Sequence, residues 1–290
     1  MFRVMKILIT GVNGLVGNSL YRLLQDSDHT LFFSSRNLEG LANYKMDITD
    51  KVEVNSFFKS ERPDVIINSA AMANVDLCEE EQDLCWKVNV EGVQNLVEAC
   101  DQYSTHLTHI STDYIFDGKK NSGIYNEDDL PKPQGYYAKS KLAGEEVITR
   151  SQIRYSILRT ILVYGIHKNA NIVTFVKNSL EAKKSVNLVS DQVRMPTFAD
   201  DLSKACIKAS EKKAEGIFHI CGPEQMSYLD IGNRIADHFS LDKNLINHVN
   251  TIDLNQKAER PFKTGFDLRK AINILDYKPT KFEDSLDFIF

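Results

Sequence analysis

No run of this chain approaches the roughly 20 consecutive apolar residues that a membrane-crossing helix needs, so no membrane partner is expected. An excess of positive charge is missing too. The 35 Lys and Arg stand against 40 Asp and Glu, a net charge of -5, whereas a nucleic-acid binder carries a basic face. Cysteine is sparse and odd in number: Cys78, Cys85, Cys100, Cys206 and Cys221 include no C-x-x-C pair, and no histidine cluster accompanies them. Neither a disulfide framework nor a metal site is expected, but reduced thiols in a cytoplasmic protein. The opening MFRVMKILITG has too short an apolar part for a secretory leader and runs straight into a glycine motif. No internal repeat or low-complexity linker occurs. What is present is 290 residues, 42% apolar and 26% charged. That suffices for a sizeable core, in one large α/β domain or a domain with a smaller companion.

Short apolar runs alternate with helical spacing. KILIT (6–10), TLFFSS (30–35), PDVIINSAA (63–71), LTHIST (107–112) and YSILRTILVYG (155–165) read as strands, while GLVGNSLYRLL and VNVEGVQNLVEAC (88–100) read as helices. Alternation of this kind predicts an α/β fold with a doubly wound parallel Rossmann sheet. After Gly165 the rhythm loosens. NIVTFVKNSLEAKK (171–184) and SYLDIGNRIADHF (227–239) read as helices, the second with Ser227 as N-cap, GIFHICG (216–222) as one more strand, and 260–279 as loop and short helix. Residues 1–165 are expected to form an NAD(P)-binding domain that also receives about 196–222. Residues 166–290 are expected to form mostly a smaller C-terminal substrate-binding cap.

TGVNGLVG lies between the first strand and the first helix and carries Gly11, Gly14 and Gly17. A tight turn there needs a residue without Cβ, a diphosphate must approach the backbone, and the helix must pack close to the strand. The helix N-terminus then offers free N–H groups to phosphate. The spacing G-x-x-G-x-x-G resembles the extended short-chain dehydrogenase/reductase superfamily. At the end of the second strand an NAD site places a carboxylate for the ribose hydroxyls. Here FFSSRN supplies Ser35 and Arg36 instead. With no carboxylate to repel a 2′-phosphate and Arg36 able to pair with it, NADP(H) is the preferred cofactor and NAD(H) the alternative.

YYAKSKLAGE (136–145) sets Tyr137 and Lys141 four residues apart, on one face of a helix. Thr112 ends a strand in HISTDYIFDG, at the sheet edge where α/β ligands gather. An ammonium beside a phenol favours the phenolate, which predicts that Lys141 lowers the acidity constant of Tyr137 toward useful acid–base work. The catalytic set is thus Thr112, Tyr137 and Lys141. Tyr137 protonates a carbonyl oxygen held by Thr112, and Lys141 also holds the nicotinamide ribose. This Ser/Thr, Tyr, Lys set is the one the superfamily uses.

STDYIFDG, YYAKSKLAGE, LRTILVYG, DQVRMPTFADDLSKA, GIFHICGPEQMSYLDIGNRIA and RPFKTGFDLRKA, in that order over essentially the whole chain, resemble the dTDP-4-dehydrorhamnose reductase family. The resemblance implies NADPH- or NADH-dependent reduction of a 4-keto sugar on a nucleotide. It implies that Gly11, Asn13, Gly14, Leu15, Val16 and Gly17 cradle the diphosphate. Asp47 and Ile48 would meet the adenine, and Ser69, Ala70 and Ala71 would flank the cofactor. Thr112, Asp113, Tyr114, Arg194 and Arg260 would line the nucleotide-sugar side. Whether the chain pairs as a homodimer is left open.

Two departures stand out. Family members commonly read RTSWVYG and DQxGxPT, where this chain has Leu162 in the tryptophan's place and Arg194 in the glycine's. An arginine there can reach a phosphate or sugar oxygen. Two other readings follow from the same residues. The regulatory subunit of methionine adenosyltransferase is similar to this family, binds NADP, assists a partner enzyme and also has an arginine before PT. A nucleotide-sugar dehydratase or epimerase is the other. Dehydratases typically have Thr-Asp-Glu where this chain has Thr112-Asp113-Tyr114, and epimerases usually carry the acidic strand-end residue missing here.

Overall fold

Side chains alternate between the two faces of a strand, so a sheet covered on both sides needs apolar residues at successive positions. KILIT meets that demand as β1 (Lys6–Thr10): Ile7 and Ile9 enter one core and Leu8 the other. The structure, a computed structural model, describes residues 4–290. The first three residues of the segment read as no secretory leader lie outside the described residues.

The chain continues through α1 (Leu15–Leu24), β2 (Thr30–Ser35), β3 (Tyr44–Lys45), α2 (Lys51–Glu61) and β4 (Val65–Asn68). Then come α3 (Val75–Glu80), α4 (Gln82–Trp86), α5 (Gly92–Tyr103), β5 (His106–Thr112), α6 (Tyr136–Thr149) and β6 (Tyr155–Thr160). Beyond Gly165 follow α7 (Ile172–Glu181), α8 (Ala199–Lys212), β7 (Gly216–Ile220), α9 (Tyr228–His238), α10 (Arg269–Leu275) and α11 (Phe282–Ile289). The sheet order is β7-β6-β5-β4-β1-β2-β3, and every neighbouring pair is parallel. This is the doubly wound sheet that the alternation implied. Its order reverses between β4 and β1, which opens a crevice at the C-terminal ends of those strands.

Leu8, Ile66, Leu107 and Ile157 face α2, α5 and α6, while Ile7, Ile9, Val65, Ile67, Leu158 and Phe218 face α1, α8 and α10. The late chain thus reaches the sheet through α8, β7 and again through α10. A third core gathers α7, the strand Val186–Val189, α9, α11, Tyr164 and Phe198 beside the sheet. Ser227 caps α9 as expected. Its hydroxyl accepts from Asp230 N–H at 3.0 Å, and the Asp230 carboxylate accepts from Ser227 N–H at 2.9 Å, a reciprocal box that satisfies two end groups.

Two elements differ from the sequence reading. The helix expected over 88–100 is interrupted by a π-helical turn at Lys87–Glu91, an insertion that turns Asn89 inward. The strand expected over 155–165 stops at Thr160, because Leu162 takes the left-handed conformation (φ 39°), and two strand residues resume at Val163–Tyr164. Among the described residues no helix is long and apolar enough to cross a membrane, and no three His, Cys, Asp or Glu residues group to hold a metal. All five cysteines are buried and unpaired.

Candidate active site

The turn from β1 into α1 is shaped by close approach. Gly11 has φ +70°, and a Cβ there would stand 2.8 Å from Ala70 N. A Cβ on Gly17 would stand 2.3 Å from Gly11 O. Both distances are impossible for any other residue, so the glycines let β1, β4 and α1 converge. Gly14 is the N-cap of α1 and supplies no side-chain hydrogen bond, nor does α1 carry an acidic residue in its first turn. The uncapped N–H groups and the helix dipole at the crevice floor suit a diphosphate.

Gly11, Asn13, Gly14, Ser35, Arg36, Asp47, Ile48, Ser69, Ala70 and Ala71 line one cavity of about 430 Å³. Leu15, Val16 and Gly17 line an adjoining one of about 420 Å³, together with Thr112, Asp113, Tyr114, Tyr137, Lys141 and Arg194. Gly14, Ser69 and Ala71 border both, so the two are successive parts of one crevice. At the first end Asn13 ties the glycine loop to the chain after β2. Its amide donates to Ser35 Oγ (3.1 Å) and Glu39 O (3.0 Å), and its oxygen accepts from Leu41 N–H (2.9 Å). Arg36 is exposed, and among the described residues nothing hydrogen-bonds or pairs with its guanidinium. Asp47 spends one carboxylate oxygen on Thr49, at 2.9 Å to both N–H and hydroxyl.

At the second end Thr112, from β5, and Tyr137, from α6, line the same cavity. Tyr114 meets the Tyr137 ring edge to face, with centroids 5.9 Å apart. Lys141 is buried, and its Nζ donates to Ile110 O at 2.7 Å and lies 3.2 Å from His109 Nε2. Burial lowers its pKa to about 8. The expected lowering of the Tyr137 pKa is corrected here. Burial raises it well above the usual phenol range, the Thr112 hydroxyl offsets this only in part, and the Asp113 charge adds to the rise. The Lys141 Nζ is turned toward Ile110 and His109 of β5, and burial keeps the Tyr137 phenol protonated.

Arg194 is not a solvated loop residue but fully buried. Its Nη1 donates to Val193 O (2.9 Å) and Phe262 O (3.3 Å), its Nη2 to Pro261 O (2.6 Å), and its Nε lies 3.8 Å from Asp113 Oδ2. Those donors are therefore committed to holding the 261–262 segment and the buried Asp113 carboxyl. Burial raises the Asp113 pKa, against the pull of Arg194 and of the Thr264 hydroxyl. Arg260 lines neither cavity. It bonds Asp76 at 2.8 Å and Ala258 O at 3.0 Å.

Four polar residues of the site were not found by motif: Asn68, Asn89, His109 and Tyr228. Tyr228 lines the second cavity from the start of α9. Asn89 donates to Ser140 Oγ (3.0 Å) and Met72 O (3.0 Å), tying α6 to the loop after β4. What joins Asn68, at the end of β4, and His109, midway along β5, is their register with Thr10 in adjacent strands of one sheet.

A family model described as "RmlD substrate binding domain" matches residues 5–290. The chain is 34% identical over 299 residues to a dTDP-4-dehydrorhamnose reductase of Aggregatibacter actinomycetemcomitans, covering 97% of each. It is 30% identical over 275 residues to the methionine adenosyltransferase 2 subunit beta of Mus musculus, covering 91% of this chain and 81% of that one. Among solved structures, a dTDP-4-dehydrorhamnose reductase of Bacillus anthracis in complex with NADP superposes with TM-score 0.91 at 27% identity over 99% of both chains.

Proposed function

The chain belongs to the dTDP-4-dehydrorhamnose reductase family, and from that premise we propose that it uses NADPH to reduce the 4-keto group of dTDP-4-dehydrorhamnose to the alcohol of dTDP-rhamnose. The observation that carries this reading is the meeting of Thr112, Tyr137 and Lys141 in a cavity continuous with the glycine-loop crevice. The crevice fits a dinucleotide, since its floor is an uncapped helix start cleared of Cβ atoms. NADP(H) is the cofactor and NAD(H) can substitute: Gly11, Asn13 and Gly14 to Gly17 hold the diphosphate, and Ser35 and Arg36 the 2′-phosphate. The bound dinucleotide supplies hydride to the keto carbon. Tyr137 gives its proton to the keto oxygen, Thr112 orients that oxygen, and Lys141 holds the nicotinamide ribose. The product is an alcohol and the oxidised dinucleotide.

The test is NADPH consumption with a panel of dTDP-, UDP- and GDP-linked 4-keto sugars. Turnover of the dTDP-4-dehydrorhamnose member above the others supports the proposal. No turnover of any of them by protein that binds NADPH overturns it. That result would favour a second reading, a non-catalytic NADP-binding subunit. The similarity to a methionine adenosyltransferase beta subunit, together with the buried Arg194 before PT, speaks for it.

A further inference from the structure

Thr10, Asn68 and His109 are register neighbours across β1, β4 and β5. Neighbours across a sheet share a face, and here it is the face covered by α6, which brings Lys141 down onto the row. The row has a direction. Asn68 Oδ1 accepts from the Thr10 hydroxyl at 2.6 Å and from Ala70 N–H at 3.3 Å. A backbone N–H can only donate, so the amide oxygen must face Ala70. The Asn68 NH2 then faces His109 Nδ1 at 3.0 Å. Since that NH2 can only donate, Nδ1 must present a lone pair. A neutral imidazole of this kind carries its hydrogen on Nε2, which lies 3.2 Å from Lys141 Nζ. An ammonium has no lone pair to receive it. An amine has one, and can still donate to Ile110 O at 2.7 Å.

We propose that His109, with its tautomer set by Asn68, is a positioning residue that holds Lys141 as an uncharged amine in the ligand-free site. Burial keeps the His109 ring neutral and separately lowers Lys141. The titratable groups facing the pair come from several elements. Glu145 on α6 and Cys85 on α4 favour the ammonium. Glu145 is committed to Arg159 at 2.7 Å. Cys85, whose pKa is lowered by the hydrogen bonds of Cys78, Ser140 and Asn89, adds a smaller pull toward the ammonium as pH rises. Tyr137 on α6 and Asp113 after β5 complete the set around the cavity. The inference takes the importance of Lys141 from the proposed function, but its readouts need no turnover, so the two can fail separately.

The test uses nitrogen-15 histidine and carbon-13 lysine NMR on the full chain without ligand. The signals of His109 and Lys141 are assigned by their loss in His109→Leu and Lys141→Met. His109 should show a hydrogen on Nε2 and a bare Nδ1 at neutral pH, and Lys141, lowered by burial to about 8, should titrate lower still, below about 7, apart from surface lysines near about 10.4. Asn68→Asp replaces the donor at Nδ1 by an acceptor. It should move the hydrogen to Nδ1, free Nε2 to accept, and raise the Lys141 midpoint by at least about one pH unit. An Nδ1–H or doubly protonated ring in the unsubstituted protein overturns the proposal. So does a Lys141 that titrates with the surface lysines, or an Asn68→Asp protein whose imidazole keeps its hydrogen on Nε2.

Discussion

The two ends of the crevice are built on opposite principles. At the adenosine end the charge that would meet ligand is exposed and unspent: the Arg36 guanidinium stands in solvent and has no partner among the described residues. At the nicotinamide end Thr112, Asp113, Lys141 and Arg194 are 6%, 1%, 2% and 1% exposed, and all are hydrogen-bonded or paired within the protein. A free surface charge adds affinity one contact at a time. A buried network adds little by itself, but fixes donors where charge develops in the reaction and leaves nothing to reorganise. Damage at the buried end should therefore be large, and should fall on turnover or folding. Damage at the exposed end should be modest and confined to binding.

The largest effect should come from Tyr137→Phe. It removes one hydroxyl from a ring that keeps its packing against Tyr114. Loss of a general acid costs about 10²- to 10⁴-fold in rate. Since that interaction matures in the transition state, the loss should appear in kcat, with NADPH affinity nearly unchanged. Steady-state kinetics beside an NADPH fluorescence titration checks it, and a kcat near that of the unsubstituted enzyme would remove Tyr137 from the mechanism.

Next is Arg194→Met, which takes the Nη2 donor from Pro261 O, while Val193 O and Phe262 O keep backbone N–H partners, and leaves Asp113 without its buried counter-charge. Breaking a buried pair from one side costs about 3–5 kcal/mol, and removing both charges recovers much of it. Urea denaturation should show that loss for Arg194→Met and a partial return in Arg194→Met with Asp113→Asn. A loss below about 1 kcal/mol would mean that Arg194 and Asp113 do not form a tight buried pair.

The same contrast explains what the sequence disclosed. The places of the glycine loop, Arg36 and the Tyr137–Lys141 pair were legible because local geometry, strand to turn to helix and i to i+4, fixes them. Asn68 and His109 matter because β4 and β5 are adjacent in a sheet whose order the sequence does not state. The π-turn at Lys87–Glu91 escaped for a related reason, since one inserted residue leaves the apolar spacing of a helix almost unchanged. Arg194 was read by its charge toward a ligand. The segment that consumes its donors, 261–262, is nearly 70 residues away in sequence.

Acid should test the buried side more gently. His106 and His219 are held neutral, with burial as the main cause lowering them to about 4 and about 3. Their folded pKa values lie below the unfolded value near 6.5. The unfolded chain therefore binds more protons in the interval, and stability is complete above about 6.5 and falls as pH drops toward 4. Each histidine contributes about 1.4 kcal/mol per pH unit there. Buried Asp113 and Asp201, raised by burial, act in the opposite sense. Denaturation between pH 7 and 5 should thus show a net loss that flattens in His106→Asn, and an unchanged slope in that variant would reject the assignment.

The smallest effect belongs to the exposed end. Arg36→Ala removes no hydrogen bond or ion pair among the described residues, so folding, kcat and NADH affinity should stay as they were. A charge-assisted contact is worth about 1.5–3 kcal/mol, and an exposed one sits at the lower edge because solvent and salt screen it. NADPH should therefore bind about tenfold tighter than NADH in the unsubstituted protein, and Arg36→Ala should bring the two close together. Raising the salt concentration should erode the NADPH preference while leaving NADH affinity alone, since the 2′-phosphate is the group the guanidinium meets. Fluorescence titration of both dinucleotides decides it. Equal affinities before substitution, or an NADPH preference that survives Arg36→Ala, would take Arg36 out of cofactor choice and leave Ser35, with its hydroxyl already tied to Asn13 and Asn37, as the remaining strand-end group to bear it.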